Sequence, residues 1–98
     1  MRITFIILLS IGFCTCTAPT KTQEPLSGIE IYKAKCMTCH GVDGKMGMNG
    51  AKDLQVSMLT AQQRVTVIKN GQDLMPSFQG LMSEDEIKAV AEYTVRLK

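Results

Sequence analysis

The stretch Cys36-Met37-Thr38-Cys39-His40 sets two thiols three positions apart with an imidazole directly behind them. Each thiol can add to a porphyrin vinyl group as a thioether, and the imidazole can ligate the iron of the same macrocycle. C-x-x-C-H is the attachment pattern of c-type haem. Two other chemistries begin from a C-x-x-C pair. A structural zinc site needs four ligands, usually through a second Cys/His pair, but the chain has a single His and no cysteine after Cys39. A redox dithiol belongs at the strand-to-helix turn of a βαβ unit, and no such alternation is visible. Haem attachment is the reading that uses all three residues.

The size of the chain agrees with a buried cofactor. Its 98 residues allow one domain, and the segment left after the leader described below is too short to build a large core from its own side chains. There is no disulfide framework, so a porphyrin would supply the missing apolar volume and the cofactor-free chain should fold poorly. Eleven Lys and Arg face nine Asp and Glu, a formal net charge of +2. Without a basic stripe, nucleic acid is not a partner.

Residues 1–18 read as an export signal. Arg2 supplies a positive start, and Ile3 to Phe13 is almost wholly apolar yet too short for a membrane span. Cys14 and Cys16 follow at once, where bacterial lipoprotein signals carry their lipidated cysteine, and Cys16 has the better flanks. Ordinary cleavage near Thr17 or Ala18, or an uncleaved anchor, is the alternative. Each version exports the domain, to a periplasmic or membrane-anchored location. Residues 19–26 are a polar, proline-bounded tether, and residues 27–98 are the domain.

Three helices must carry the site. Ser27-Gly28-Ile29-Glu30 fits a capping box and predicts a helix to about Cys39, with Gly28, Tyr32 and Cys36 along one stripe. Gly28 would admit a close helix neighbour. Gly41 stops this helix, and the glycine-rich loop from Gly41 to Gly50 should wrap the histidine side of the haem. A carbonyl just beyond, in Ala51-Lys52-Asp53-Leu54, is placed to accept the Nδ1 hydrogen of His40 and leave Nε2 for iron. Thr60-Ala61-Gln62-Gln63 caps a middle helix to Asn70, whose Val65 and Ile68, with Leu59, should wall the pocket. Ser83-Glu84-Asp85-Glu86 caps the last helix, with Ile87, Val90, Ala91, Thr94 and Leu97 at helical spacing. Val90 and Tyr93 can cross the first helix near Gly28 and Tyr32.

With His40 on one side of the iron, the other axial position has only methionines to draw on. Met37 lies inside the attachment motif, Met46 and Met48 lie in the histidine-side loop, and Met58 and Met82 read as core. Met75 lies in an extended loop and is followed by Pro76, which disfavours helix geometry. Leu74 and Phe78 would shield its thioether. Met75 is the preferred second ligand.

Taken in order, these residues resemble class I (monohaem) cytochrome c of the small bacterial type. The resemblance spans Ser27 to Lys98 and rests on Gly28/Tyr32, Cys36-Met37-Thr38-Cys39-His40-Gly41, Asp43-Gly44, Asp53-Leu54, Asn70-Gly71, Met75-Pro76-Ser77-Phe78 and Leu81-x-Ser83-x-x-Glu86-Ile87 with Val90-Ala91-x-Tyr93. Where the family often has proline in the loop facing the axial histidine, this chain has Lys52. The resemblance implies an all-α cytochrome c fold, three to four helices around one haem c, with the N- and C-terminal helices crossing. It implies thioethers at Cys36 and Cys39 and axial ligands His40 and Met75. The implied function is outer-sphere electron transfer between redox protein partners, without catalysis. A haem subunit of a larger oxidoreductase, and a ligand sensor or enzyme in which Met75 dissociates, remain open at this point.

Overall fold

The computed structural model describes residues 12–19 and 24–98. Most of the expected export signal lies outside the described residues. Cys14 and Cys16 lie within them, both exposed in a stretch without regular structure. Among the described residues no helix is long and apolar enough to cross a membrane.

The described part of the domain is all-α, with two isolated bridges and no strand. A first helical run has three parts: α1 (Gly28–Ile31), a π-helical turn (Tyr32–Cys36) and α2 (Met37–His40). It begins where expected. The Glu30 carboxylate accepts from the Ser27 backbone at 2.9 Å and from its hydroxyl at 2.7 Å, which holds the Glu30 carboxyl below its usual pKa. The uniform α-helix expected to Cys39 is corrected in its middle. The Met37 amide bonds back to the Tyr32 carbonyl, five residues away, a widened turn of the kind that clusters at functional sites.

A short 3₁₀ turn (Met48–Gly50) follows, then α3 (Ala61–Asn70) and α4 (Glu84–Val95). Both long helices open with the predicted reciprocal caps. Gln63 donates its amide to the Thr60 hydroxyl at 3.2 Å while the Thr60 amide donates to the Gln63 side chain at 2.9 Å. Ser83 and Glu86 repeat the arrangement at 3.2 and 2.9 Å. Each cap is worth about 1 kcal/mol.

Helix α4 is the spine, packing against α1 on one side and α3 on the other. Its Ile87, Val90 and Ala91 are buried with Ile31, Tyr32, Ile68, Phe78 and Met82, each large apolar side chain contributing roughly 1.5–3 kcal/mol. The α1–α4 crossing is very close, because a Cβ at Gly28 would overlap the Ala89 carbonyl oxygen. Next to it the Tyr32 and Tyr93 rings stack at 5.2 Å, tilted by 53°. Met82 is core as expected. Met58 is not, being 95% exposed in the stretch before α3, where no element covers it.

Candidate functional site

One cleft takes in all four residues singled out by the sequence. Cys36, Cys39 and His40 border it from the first helical run, and Met75 borders it from the connection between α3 and α4. Ile68, Val67, Leu54 and Leu59 supply apolar wall. The space free of protein atoms is ≈ 1080 Å³, the open mouth and adjoining solvent included.

The histidine side is built by main-chain geometry. Gly41 ends α2 at φ 76°, a conformation glycine adopts without strain, and a Cβ there would press on Met46 at 2.8 Å. The Gly41 carbonyl accepts the buried Tyr32 hydroxyl at 2.6 Å, and burial pushes the Tyr32 phenol up to about 12. The Met46 amide then bonds to the His40 carbonyl at 3.0 Å and the Leu54 amide to the Gly44 carbonyl at 2.9 Å. These bonds fold the loop back until the Lys52 carbonyl lies 3.1 Å from His40 Nδ1. A carbonyl can only accept, so Nδ1 carries the hydrogen, and in the neutral ring that leaves the Nε2 lone pair as the one a metal could take. The expected carbonyl is thus present, and Lys52 is the residue that offers it. Cys36 is buried, and burial pushes its thiol up to about 11. Such a sulfur is protonated at neutral pH, which suits a neutral thioether better than a thiolate metal ligand.

The methionine side departs from the extended loop expected of it. Met75 closes a tight turn, exchanging backbone hydrogen bonds with Gln72 at 3.1 and 2.8 Å, with Asp73 at φ 52°. Beyond Pro76 the chain is tied back onto the end of α3. The Phe78 amide bonds to the Ile68 carbonyl at 3.0 Å, and the Ser77 hydroxyl donates to the Lys69 carbonyl at 2.6 Å. The two expected shields separate. Leu74 is 75% exposed at the mouth, while Phe78 is buried in the core and does not border the cleft.

The α3 wall also differs from expectation. Ile68 and Leu59 border the cleft as expected, but Val65 packs against the core instead, and Arg64 and Val67 take the wall position. Arg64 is only 6% exposed. Its Nε donates to the Leu59 carbonyl at 3.1 Å, and Nη2 donates to Leu54 and Ser57 carbonyls at 3.3 and 3.2 Å. Nη1 is buried with no partner, alone in this among side-chain polar atoms of the described residues. Burial lowers the guanidinium pKa, although an arginine stays charged in proteins. An apolar cleft bordered by two cysteine sulfurs, a buried imidazole and a thioether fits a haem.

Comparison with known proteins points the same way. Residues 23–93 match the family model described as cytochrome C oxidase, cbb3-type, subunit III. Cytochrome c6 of Leptolyngbya boryana is 37% identical over 78 residues, covering 74% of this chain and 91% of that protein. The solved KustC0563 c-type cytochrome superposes with a TM-score of 0.68 over 74% of this chain and 99% of its own, at 24% identity, a likeness of fold. Cytochrome c6 from the diatom Phaeodactylum tricornutum superposes with a TM-score of 0.61 at 28% identity, over 69% of this chain and 86% of its own.

Proposed function

Because the chain belongs to the small monohaem class I c-type cytochromes, electron carriers with one covalently bound haem c, we propose that Cys36, Cys39, His40 and Met75 hold that haem. Cys36 and Cys39 tether it by thioethers, His40 offers Nε2 to the iron, and Met75 offers its thioether sulfur. The bound haem supplies a one-electron ferric/ferrous couple, and a Met/His ligand pair favours the ferrous side. The observation that carries this reading is the His40–Lys52 hydrogen bond, which fixes the tautomer a metal-binding histidine needs, in a cleft that Met75 also borders.

The protein's own part is to hold and to insulate. The Lys52 carbonyl orients the ring of His40. Ile68, Val67, Leu54 and Leu59 keep water from the cleft wall. Ser77 and Gln72 fasten the loop that presents Met75. With His40 and Met75 both committed to iron, the chain keeps no coordination site for a substrate, and its activity is electron transfer to and from protein partners rather than catalysis.

Export accompanies this role. Residues 1–18 act as the signal, Cys16 or Cys14 is the candidate lipidation site that would tether the domain at a membrane, residues 19–26 are the spacer and residues 27–98 the haem domain, facing the periplasm. The description of the matching family model, an oxidase subunit, favours a second form of the same reading, in which the chain passes electrons as the haem subunit of a larger complex.

The test is the visible and near-infrared spectrum of the exported protein beside Met75→Ala. A c-type spectrum with a weak methionine-to-ferric-iron band that the variant lacks is expected. A haem spectrum without that band in the wild type would sink the Met75 assignment and turn attention to a ligand-binding or catalytic haem.

A further inference from the structure

The connection that carries Met75 is fastened to Lys69, in the last turn of α3. The Lys69 carbonyl accepts the Ser77 hydroxyl at 2.6 Å and the Gln79 amide at 3.3 Å, and the Phe78 amide takes the neighbouring Ile68 carbonyl. The side chain of Lys69 is held from the other direction. Its Nζ donates to Glu84 Oε1 at 2.6 Å. Glu84 is the first residue of α4, where the connection ends. The pair thus joins the helix that the chain leaves on its way to Met75 to the helix that it enters afterwards. It is the only ion pair among the described residues. The Glu84 side chain is 72% exposed and that of Lys69 33%, so dissolved salt reaches the pair.

We propose that Lys69 and Glu84 are positioning residues for Met75, an electrostatic clasp across the base of the connection that makes release of the methionine salt-dependent. The inference rests on the reading above, in which Met75 ligates the iron, and adds what keeps it there. For Met75 to withdraw, the connection has to shift, and a shift pulls on the Lys69 carbonyl through Ser77 and Gln79. The last turn of a helix is the part that frays. In α3 that turn is tied through Lys69 to α4, which packs against both α1 and α3. Lifting the connection therefore strains the ion pair as well as the loop's own hydrogen bonds. Neither Lys69 nor Glu84 borders the cleft. Loss of the pair changes how firmly Met75 is offered and leaves the cleft lining intact.

The experiment uses ferric, haem-loaded protein and displaces Met75 with neutral imidazole, followed in the near-infrared methionine band. At low salt Lys69→Gln and Glu84→Gln should each ease displacement about twofold to fivefold, the range an exposed ion pair supplies. Each change also alters a charge beside a helix end, so the double variant isolates the pair. It should be displaced no more easily than the more affected single variant. Lys69→Arg keeps the charge and should titrate like the wild type. Asp85→Asn, which removes an exposed acid from the same turn of α4, should do so too. At about 1 M salt the screening length falls to about 3 Å. The wild-type midpoint should then move to that of Lys69→Gln, while the Gln variants stay where they were. A wild-type midpoint indifferent to salt, or single effects that multiply in the double variant, overturns the proposal. Equal easing in Asp85→Asn overturns it too, because the effect would then belong to helix charge. The wild-type band separates the two levels of inference. If it is missing, the Met75 reading and this one fall together. If it is present and the coupling is absent, the clasp alone is wrong.

Discussion

The close crossing of α1 and α4 makes Gly28→Ala the sharpest stability test. Alanine is favoured over glycine by up to about 1 kcal/mol in a helix interior and by less at Gly28, the first residue of α1, so helix propensity alone predicts a small gain. Packing predicts the reverse. The new Cβ would overlap the Ala89 carbonyl oxygen and stand 2.9 Å from both the Ala89 carbonyl carbon and Tyr93 Cβ, whereas carbon atoms rest at about 3.5–4.0 Å. A main-chain carbonyl cannot rotate aside, so α1 and α4 must separate. Overpacking of this kind costs about 1–3 kcal/mol, and the separation also loosens the Tyr32–Tyr93 pair, whose contact is worth about 0.5–1.5 kcal/mol. Net of propensity, we expect a loss of about 2 kcal/mol. For a domain of this size that is a fall in Tm of about 10 °C, measured by circular dichroism on haem-loaded protein. Gly47→Ala is the control. Gly47 has φ −98° and a Cβ there meets nothing closer than 3.8 Å, so its Tm should stay close to that of the wild type. If Gly28→Ala melted at or above the wild-type temperature, the crossing would have slack and the argument from contact distances would be wrong.

Two further outcomes follow from hydrogen bonds around the site. Tyr32→Phe leaves the buried Gly41 carbonyl without its donor and should cost about 1–2 kcal/mol in denaturant titrations at neutral pH. Because the folded Tyr32 pKa is raised, to about 12 from 10.0, the stability the phenol contributes is complete below pH 10 and is lost as pH rises through 12. The variant should lack that alkaline loss, and an unchanged alkaline limb would refute the role given to the phenol. Ser77→Ala removes the 2.6 Å bond to the Lys69 carbonyl. A loss of about 1 kcal/mol there should make displacement of Met75 by added imidazole about fivefold easier, read from the near-infrared band; an unaltered titration would mean the loop is held elsewhere.

Most of the scaffold was visible in the residues because it is encoded locally. Ser27, Thr60 and Ser83 mark three helix starts by chemistry confined to four positions, and Gly41 marks a stop. The crossing was legible from Gly28 and Tyr93 because a missing side chain on one helix has to be matched by proximity on another. What was not legible depends on rotation and cover. The π-helical turn from Tyr32 to Cys36 has no residue code of its own. Val65 and Val67 are alike as residues, and only the seating of α3 on α4 decides which one borders the cleft. Met58 reads as core by type, but no element is placed to cover it. Arg64 escaped notice because an arginine on a helix is usually solvated, and its burial depends on three carbonyls from a loop with no periodic signal.

The bond between His40 and the carbonyl of Lys52 has a consequence for how this protein can change over time. Because the acceptor is main chain, position 52 is free to vary in charge, size and polarity without altering what His40 experiences. Selection at this point acts on spacing: inserting or deleting one residue between His40 and Lys52 would move the carbonyl away, whereas exchanging the lysine for almost anything else would leave it in place. The chain can therefore redecorate the rim of its cleft toward new partners while the surroundings of the His40 ring are inherited unchanged.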